Sequence, residues 1–119
     1  SDLKRCVDTA RIAVEGRNLP WEKMVLLREI DWGSWTGLAI KEVDLRHFPA
    51  DVETEAMLYE RAGRFVDYLK ERYDGKQVLA VGHGLINRAV QAHIQGVTLE
   101  HLRSVPKMNN AELRRFKLT

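Results

Sequence analysis

The sequence predicts an α/β fold, three layers deep, with helices on both faces of a mostly parallel central sheet. Three observations predict it. The run Val78-Leu79-Ala80-Val81 is continuously apolar between Gln77 and Gly82, the pattern of a strand buried on both faces. Directly behind it, Leu85, Ile86, Ala89, Val90 and Ile94 recur at helical spacing, so strand, tight turn and helix make one βα unit. Ahead of it, Leu58, Ala62, Phe65, Val66 and Leu69 form the apolar face of a long helix over 54–73, with Glu60, Arg64 and Lys70 opposite.

In chain order, Ser1 is placed to cap a helix whose stripe is Leu3, Cys6, Val7, Ala10, Ala13 and Val14 and which Gly16 ends. A loop over 17–20 leads to a short strand at Met24-Val25-Leu26-Leu27 that runs into Arg28-Glu29-Ile30. Residues 31–37 hold two glycines and two tryptophans without a clean period, which fits a loop with rigid aromatic anchors. Residues 38–55 have no sustained pattern and read as short helical turns and a mobile connection. After the helix over 54–73, Asp74-Gly75 stops the chain before the strand 77–82. Gly96 ends the next helix, Thr98 is placed to cap a short one through Leu102, and Pro106 lies beyond it. Residues 111–118 alternate loosely enough to be a strand nearer an edge. The expected order therefore sets 77–82 in the interior, 24–29 on one side and 111–118 on the other. No repeat, low-complexity tract or interdomain linker interrupts the 119 residues, which make one domain or part of one.

Composition excludes several classes. With 19 Lys and Arg against 17 Asp and Glu, the net charge of +2 is too small and too evenly spread for a nucleic-acid surface. A single cysteine, Cys6, rules out an internal disulfide framework and fits a reducing, cytoplasmic setting. No run approaches the roughly 20 apolar residues of a membrane span, and no signal peptide is visible.

Chemistry concentrates at element ends. In open α/β sheets ligands bind beyond the carboxyl ends of strands, where the next helix offers free N–H groups and its positive dipole end to anions. His83 stands at that point, between Gly82 and Gly84, which let the backbone approach a ligand closely. Taken alone, His83 is equally a polar residue in a βα turn. Arg5, in the first turn of a helix, opposes the dipole there. It is either a solvated surface side chain or a bidentate phosphate clamp. Glu29 closes a strand, either as an ion-pair partner of Arg28 or a nearby lysine, or as an acid–base group.

Taken together these stretches resemble the histidine phosphatase superfamily, which includes the cofactor-dependent phosphoglycerate mutases. Ser1-Asp2-Leu3-Lys4-Arg5-Cys6-Val7-Asp8-Thr9-Ala10 is similar to its Ser-x-Leu-x-Arg-Ala-x-x-Thr-Ala segment. Leu27-Arg28-Glu29-Ile30-Asp31-Trp32-Gly33-Ser34-Trp35-Thr36-Gly37 is similar to Leu-Arg-Glu-Ile-x-Phe-Gly-x-Trp-Glu-Gly. Val78 to Gly84 resembles its second-histidine strand. The chain departs from these patterns at Thr36, where an acidic residue is usual, and at Leu85-Ile86-Asn87, where Gly-Val-Ile is more usual.

The resemblance implies a phosphoglycerate mutase-like α/β fold and a phosphatase rather than a mutase, working through a phosphohistidine with no metal and no cofactor. Arg5, His83 and Gly84 would bind the phosphoryl group, while Glu29 would protonate the leaving oxygen and then activate water. The family's nucleophile is a histidine in an Arg-His-Gly motif that precedes the segment starting at Ser1. His47, His93 and His101 stand in other contexts and are expected to be structural or solvent-facing. The chain is therefore expected to be the C-terminal two-thirds of a catalytic domain, lacking two strands of its sheet and inactive alone. The expected substrate is a small phosphorylated metabolite, its specificity set by the region 38–60. No nucleic-acid or membrane partner is expected, and a homodimer by strand swapping is. A non-catalytic phosphate-binding remnant, an oligomerising fragment and a phosphoglycerate mutase are the alternative readings.

Overall fold

Helical segments and the loops between them make up the structure, a computed structural model that describes residues 1–118. Three α-helices are present: α1 (Lys4–Ala13), α2 (Glu55–Arg72) and α3 (Gly84–Gln95). Short 3₁₀ segments cover Val25–Leu27, Gly33–Trp35, Ile40–Glu42 and Leu99–Ser104.

The long helices begin and end where their termini can be satisfied. Thr54 Oγ1 accepts from the Met57 amide at 3.2 Å, and Lys70 and Arg72 occupy the last turn of α2, where the helix dipole favours cations. Gly96, at φ 71°, closes α3 in the left-handed conformation, and the Val97 amide reaches back to the Ala92 carbonyl at 2.8 Å. These two helices form the core. Leu58, Ala62 and Phe65 of α2 meet Ile86, Ala89 and Ala92 of α3, and Leu27, Ile30, Leu102 and Val105 close the cluster.

Gly63 lets the helices approach: a Cβ there would lie 2.8 Å from His93 Cε1. The His93 ring stacks on Tyr59 with centroids 3.9 Å apart, and its Nε2 donates to the Tyr59 carbonyl at 2.6 Å. Helix α1 is different, burying only Cys6 and Val7. Ser1 does not cap it; Leu3 holds the N-cap position, and Ser1 Oγ accepts from the Leu3 amide at 3.2 Å. Thr98 precedes the 3₁₀ segment as expected, but its side chain makes no capping bond.

The central sheet is the expectation that the structure overturns. Among the described residues there is no strand: 24–29 contains a 3₁₀ turn, and 77–82 and 111–118 are unpaired. The three-layer α/β architecture with a parallel sheet is therefore not the fold of this chain. Val78 and Leu79 are about half exposed rather than buried on both faces. An apolar run becomes a strand only when neighbours supply a hydrogen-bonding ladder. The bonds that 77–82 receives are isolated ones, from the Ser1 nitrogen to the Val81 carbonyl at 2.6 Å and from Cys6 Sγ to the Gly82 carbonyl at 3.3 Å. At the other end, Arg114 ties its segment to loop and helix, donating to the Pro106 and Lys107 carbonyls and to Gln91 Oε1, each at 2.8 Å. Among the described residues no helix is long and apolar enough to cross a membrane.

Candidate active site

The N-terminus of α3 gathers Arg5, Glu29 and His83 from three separate parts of the chain. His83 occupies the N-cap position in extended backbone (φ −119°, ψ 168°) and is 8% exposed. Arg5, on the first turn of α1, reaches its Nδ1 from Nε at 3.3 Å and from Nη2 at 3.1 Å. A guanidinium only donates, so Nδ1 is the acceptor and the proton of the neutral ring sits on Nε2. From there it donates to Ser1 Oγ at 3.0 Å. Burial lowers the His83 pKa from its ordinary 6.5, and the neighbouring Arg5 cation lowers it further, against an opposing pull from Glu29. Tautomer and electrostatics agree on a neutral imidazole.

Glu29 takes the place that an anion would be expected to hold. Its Oε2 accepts from the Leu85 amide at 3.0 Å, and its Oε1 accepts from the Ile86 amide at 3.0 Å and the Ile30 amide at 3.1 Å. Two of the first three amides of α3 thus serve Glu29, leaving the N–H of Gly84, which has no hydrogen-bond partner among the described residues. The carboxylate is anchored by three backbone donors and backed by the helix dipole. It does not pair with Arg28, which instead forms a two-pronged bridge to Asp2 at 2.6 and 2.7 Å and holds that carboxyl down to about 2. This bridge ties the lead-in of α1 to the segment that carries Glu29.

In the loop after Glu29, Gly33 and Trp35 act as anchors, whereas Trp32 is 44% exposed. Gly33 has φ 49°, and a Cβ there would stand 2.1 Å from the Asp51 carbonyl oxygen. Asp51 also receives the Ser34 amide at 2.7 Å, while Trp35 packs edge-on against Phe48 with centroids 4.9 Å apart. Beside this loop lies a hollow of about 450 Å³ lined by Ile30, Trp32, Leu45, Phe48, Glu55 and Arg103, so that only part of its wall comes from residues 38–60. The other histidines stand elsewhere: His47 pairs with Asp44 on the surface, His93 packs between α2 and α3, and His101 is exposed. No group of three or more His, Cys, Asp or Glu among the described residues could hold a metal ion.

Two contributors were not singled out from sequence. Cys6 Sγ lies 3.4 Å from His83 Nε2, in the position where the resembling motif has alanine, and that departure was its signal. Arg61 binds the backbone just before Glu29. Its signal was a charge three residues after Leu58 and four before Phe65, on the apolar side of α2.

The family model described as the histidine phosphatase superfamily (branch 1) matches residues 1–119. Phosphoserine phosphatase 1 of Hydrogenobacter thermophilus is 30% identical over a match that covers 83% of this chain and 54% of that protein. The solved structure of YhfR from Bacillus stearothermophilus is 30% identical, with a TM-score of 0.78 over 91% of this chain and 60% of that one. The chain thus spans about half the length of the curated relative it matches.

Proposed function

The chain belongs to the histidine phosphatase superfamily, branch 1, and from that membership we propose that it is part of a phosphomonoesterase acting on a small phosphorylated metabolite. A segment preceding Ser1 would carry the nucleophilic histidine. Its ring nitrogen would attack phosphorus while the ester P–O bond breaks; Glu29, which must first let go of an amide donor and take up a proton, would give that proton to the leaving oxygen. Water would then attack the phosphohistidine, surrendering a proton to Glu29 as the P–N bond breaks. Arg5, His83 and the Gly84 amide would hold the phosphoryl oxygens, spreading their charge over fixed donors. A reducing, cytoplasmic setting fits the lone buried thiol of Cys6.

The observation that carries this reading is the convergence of Arg5, Glu29 and His83 on the first turn of α3. The name of the Hydrogenobacter relative makes O-phosphoserine the first ester to try, beside p-nitrophenyl phosphate. With the preceding segment present, labelled substrate is expected to leave an acid-labile, base-stable phosphate on histidine. The 119-residue chain alone is expected to leave none. In the active protein, Glu29→Gln should lower turnover about 10²–10⁴-fold with little change in vanadate affinity, whereas Arg5→Ala should weaken vanadate binding as well. Equal losses of affinity in both variants would reverse the assigned roles. Robust turnover by the chain alone, lost in His83→Ala, would overturn the proposal of an outside nucleophile.

A further inference from the structure

We propose that Arg61, braced by Glu53, is a positioning residue for Glu29, fixing the backbone that delivers its carboxylate to the N-terminus of α3; the inference rests on the acid–base role proposed above. Segment 26–31 has little regular structure of its own beyond one 3₁₀ turn, so its course must be set from outside. Arg61, projecting from α2, sets it. Nη1 donates to the carbonyls of Leu26 at 2.8 Å and Arg28 at 2.7 Å, and Nη2 lies 3.5 Å from the Glu29 carbonyl. The other side of the guanidinium meets Glu53, Nε to Oε2 at 2.9 Å and Nη2 to Oε1 at 2.8 Å. Both side chains are nearly nine-tenths buried.

Glu53 continues the clamp beyond Glu29. Its Oε1 accepts from the Asp31 amide at 3.1 Å, and its own amide donates to the Asp31 carbonyl at 2.7 Å. The backbone is therefore gripped on both sides of Glu29, by Arg61 from the α2 that packs on α3 and by Glu53 from the segment just ahead of that helix. That links the carboxylate to its Leu85 and Ile86 partners through one rigid body. The task needs a planar fork: a lysine ammonium cannot span two carbonyls and a bidentate carboxylate at once.

Amide hydrogen exchange on the chain, read residue by residue, tests the inference without any turnover. Arg61→Gln is expected to speed exchange at Leu85 and Ile86 at least about tenfold, while amides in the middle of α2 and α3 change less than about twofold. Glu29→Ala should expose the same two amides, and adding Arg61→Gln to it should change them little further, the non-additivity of groups acting through one another. Arg61→Lys should restore only part of the protection. Unchanged exchange at Leu85 and Ile86, uniform acceleration through the core, or additive effects would overturn the inference. Should Arg61→Gln fail to fold, Glu53→Gln, which leaves the carbonyl bonds possible, is judged by the same selectivity.

Kinetics in the catalytically competent protein then separate the two proposals. Arg61→Gln is expected to lower kcat about tenfold or more with vanadate affinity retained. A kcat indifferent to both Glu29→Gln and Arg61→Gln, with the exchange pattern intact, would sink the acid–base role and leave the positioning geometry standing. A kcat that falls in Glu29→Gln alone would sink the positioning role.

Discussion

His83 shows how much a single side chain's surroundings decide. Its Nδ1 is committed to the two donors of Arg5 and its Nε2 proton to Ser1, so the folded state holds the ring neutral. A lowered folded pKa means that the unfolded chain binds a proton first as pH falls below about 6.5. The stability that His83 contributes is therefore complete above that value and declines as pH falls toward the folded pKa. Urea midpoints measured between pH 7.5 and 5 should fall in the wild type, and the fall should be smaller in His83→Gln. Identical slopes would show that the ring is not held neutral. In a phosphatase the same bonds have a second effect: while Arg5 donates to Nδ1, that nitrogen cannot donate to an oxyanion, so His83 can offer a phosphoryl group only the Nε2 proton that Ser1 now receives.

Among the elements, α2 and α3 were legible in the sequence because their apolar stripes are long and their ends carry Thr54, Asp74-Gly75 and Gly96. The strands were not. Val78 to Val81 has a strand's composition, but a ladder is a property of two segments and cannot be read from one. The convergence of Arg5, Glu29 and His83 was foreseeable from their matched segments, whereas the capture of the Leu85 and Ile86 amides by Glu29 was not, since side-chain reach across 56 and 57 residues leaves no local signature. Helix packing offers a sharp test at Gly63. Alanine is worth about 1 kcal/mol more than glycine in a helix interior. Here its Cβ would force the His93 ring away from its Tyr59 stack and carbonyl bond. Gly63→Ala should therefore lower stability in the wild type and raise it in a His93→Ala background, a sign change that urea denaturation of the four variants would show. The same sign in both would mean that the ring has room to yield.

At the scale of the whole molecule, the half-exposed pair Val78-Leu79 makes no backbone hydrogen bond among the described residues. Extended backbone with unpaired groups and apolar side chains is a template for pairing with another chain. The mass in solution is expected to rise with concentration, and Leu79→Lys to suppress that rise; a strictly monomeric wild type would count against association through this segment. Helix α1 bears on the molecule in another way. It is fastened chiefly by polar links, Asp2 to Arg28, Arg5 to His83 and Cys6 to Gly82, rather than by a broad apolar face. Arg5 and His83 therefore ride on separate helices, and any anion gripped by both becomes a further fastener between them. Occupancy and attachment are then one equilibrium: ligand concentration should govern how readily a protease nicks the loop at 17–20, and salt, which screens the exposed Asp2–Arg28 bridge, should oppose it.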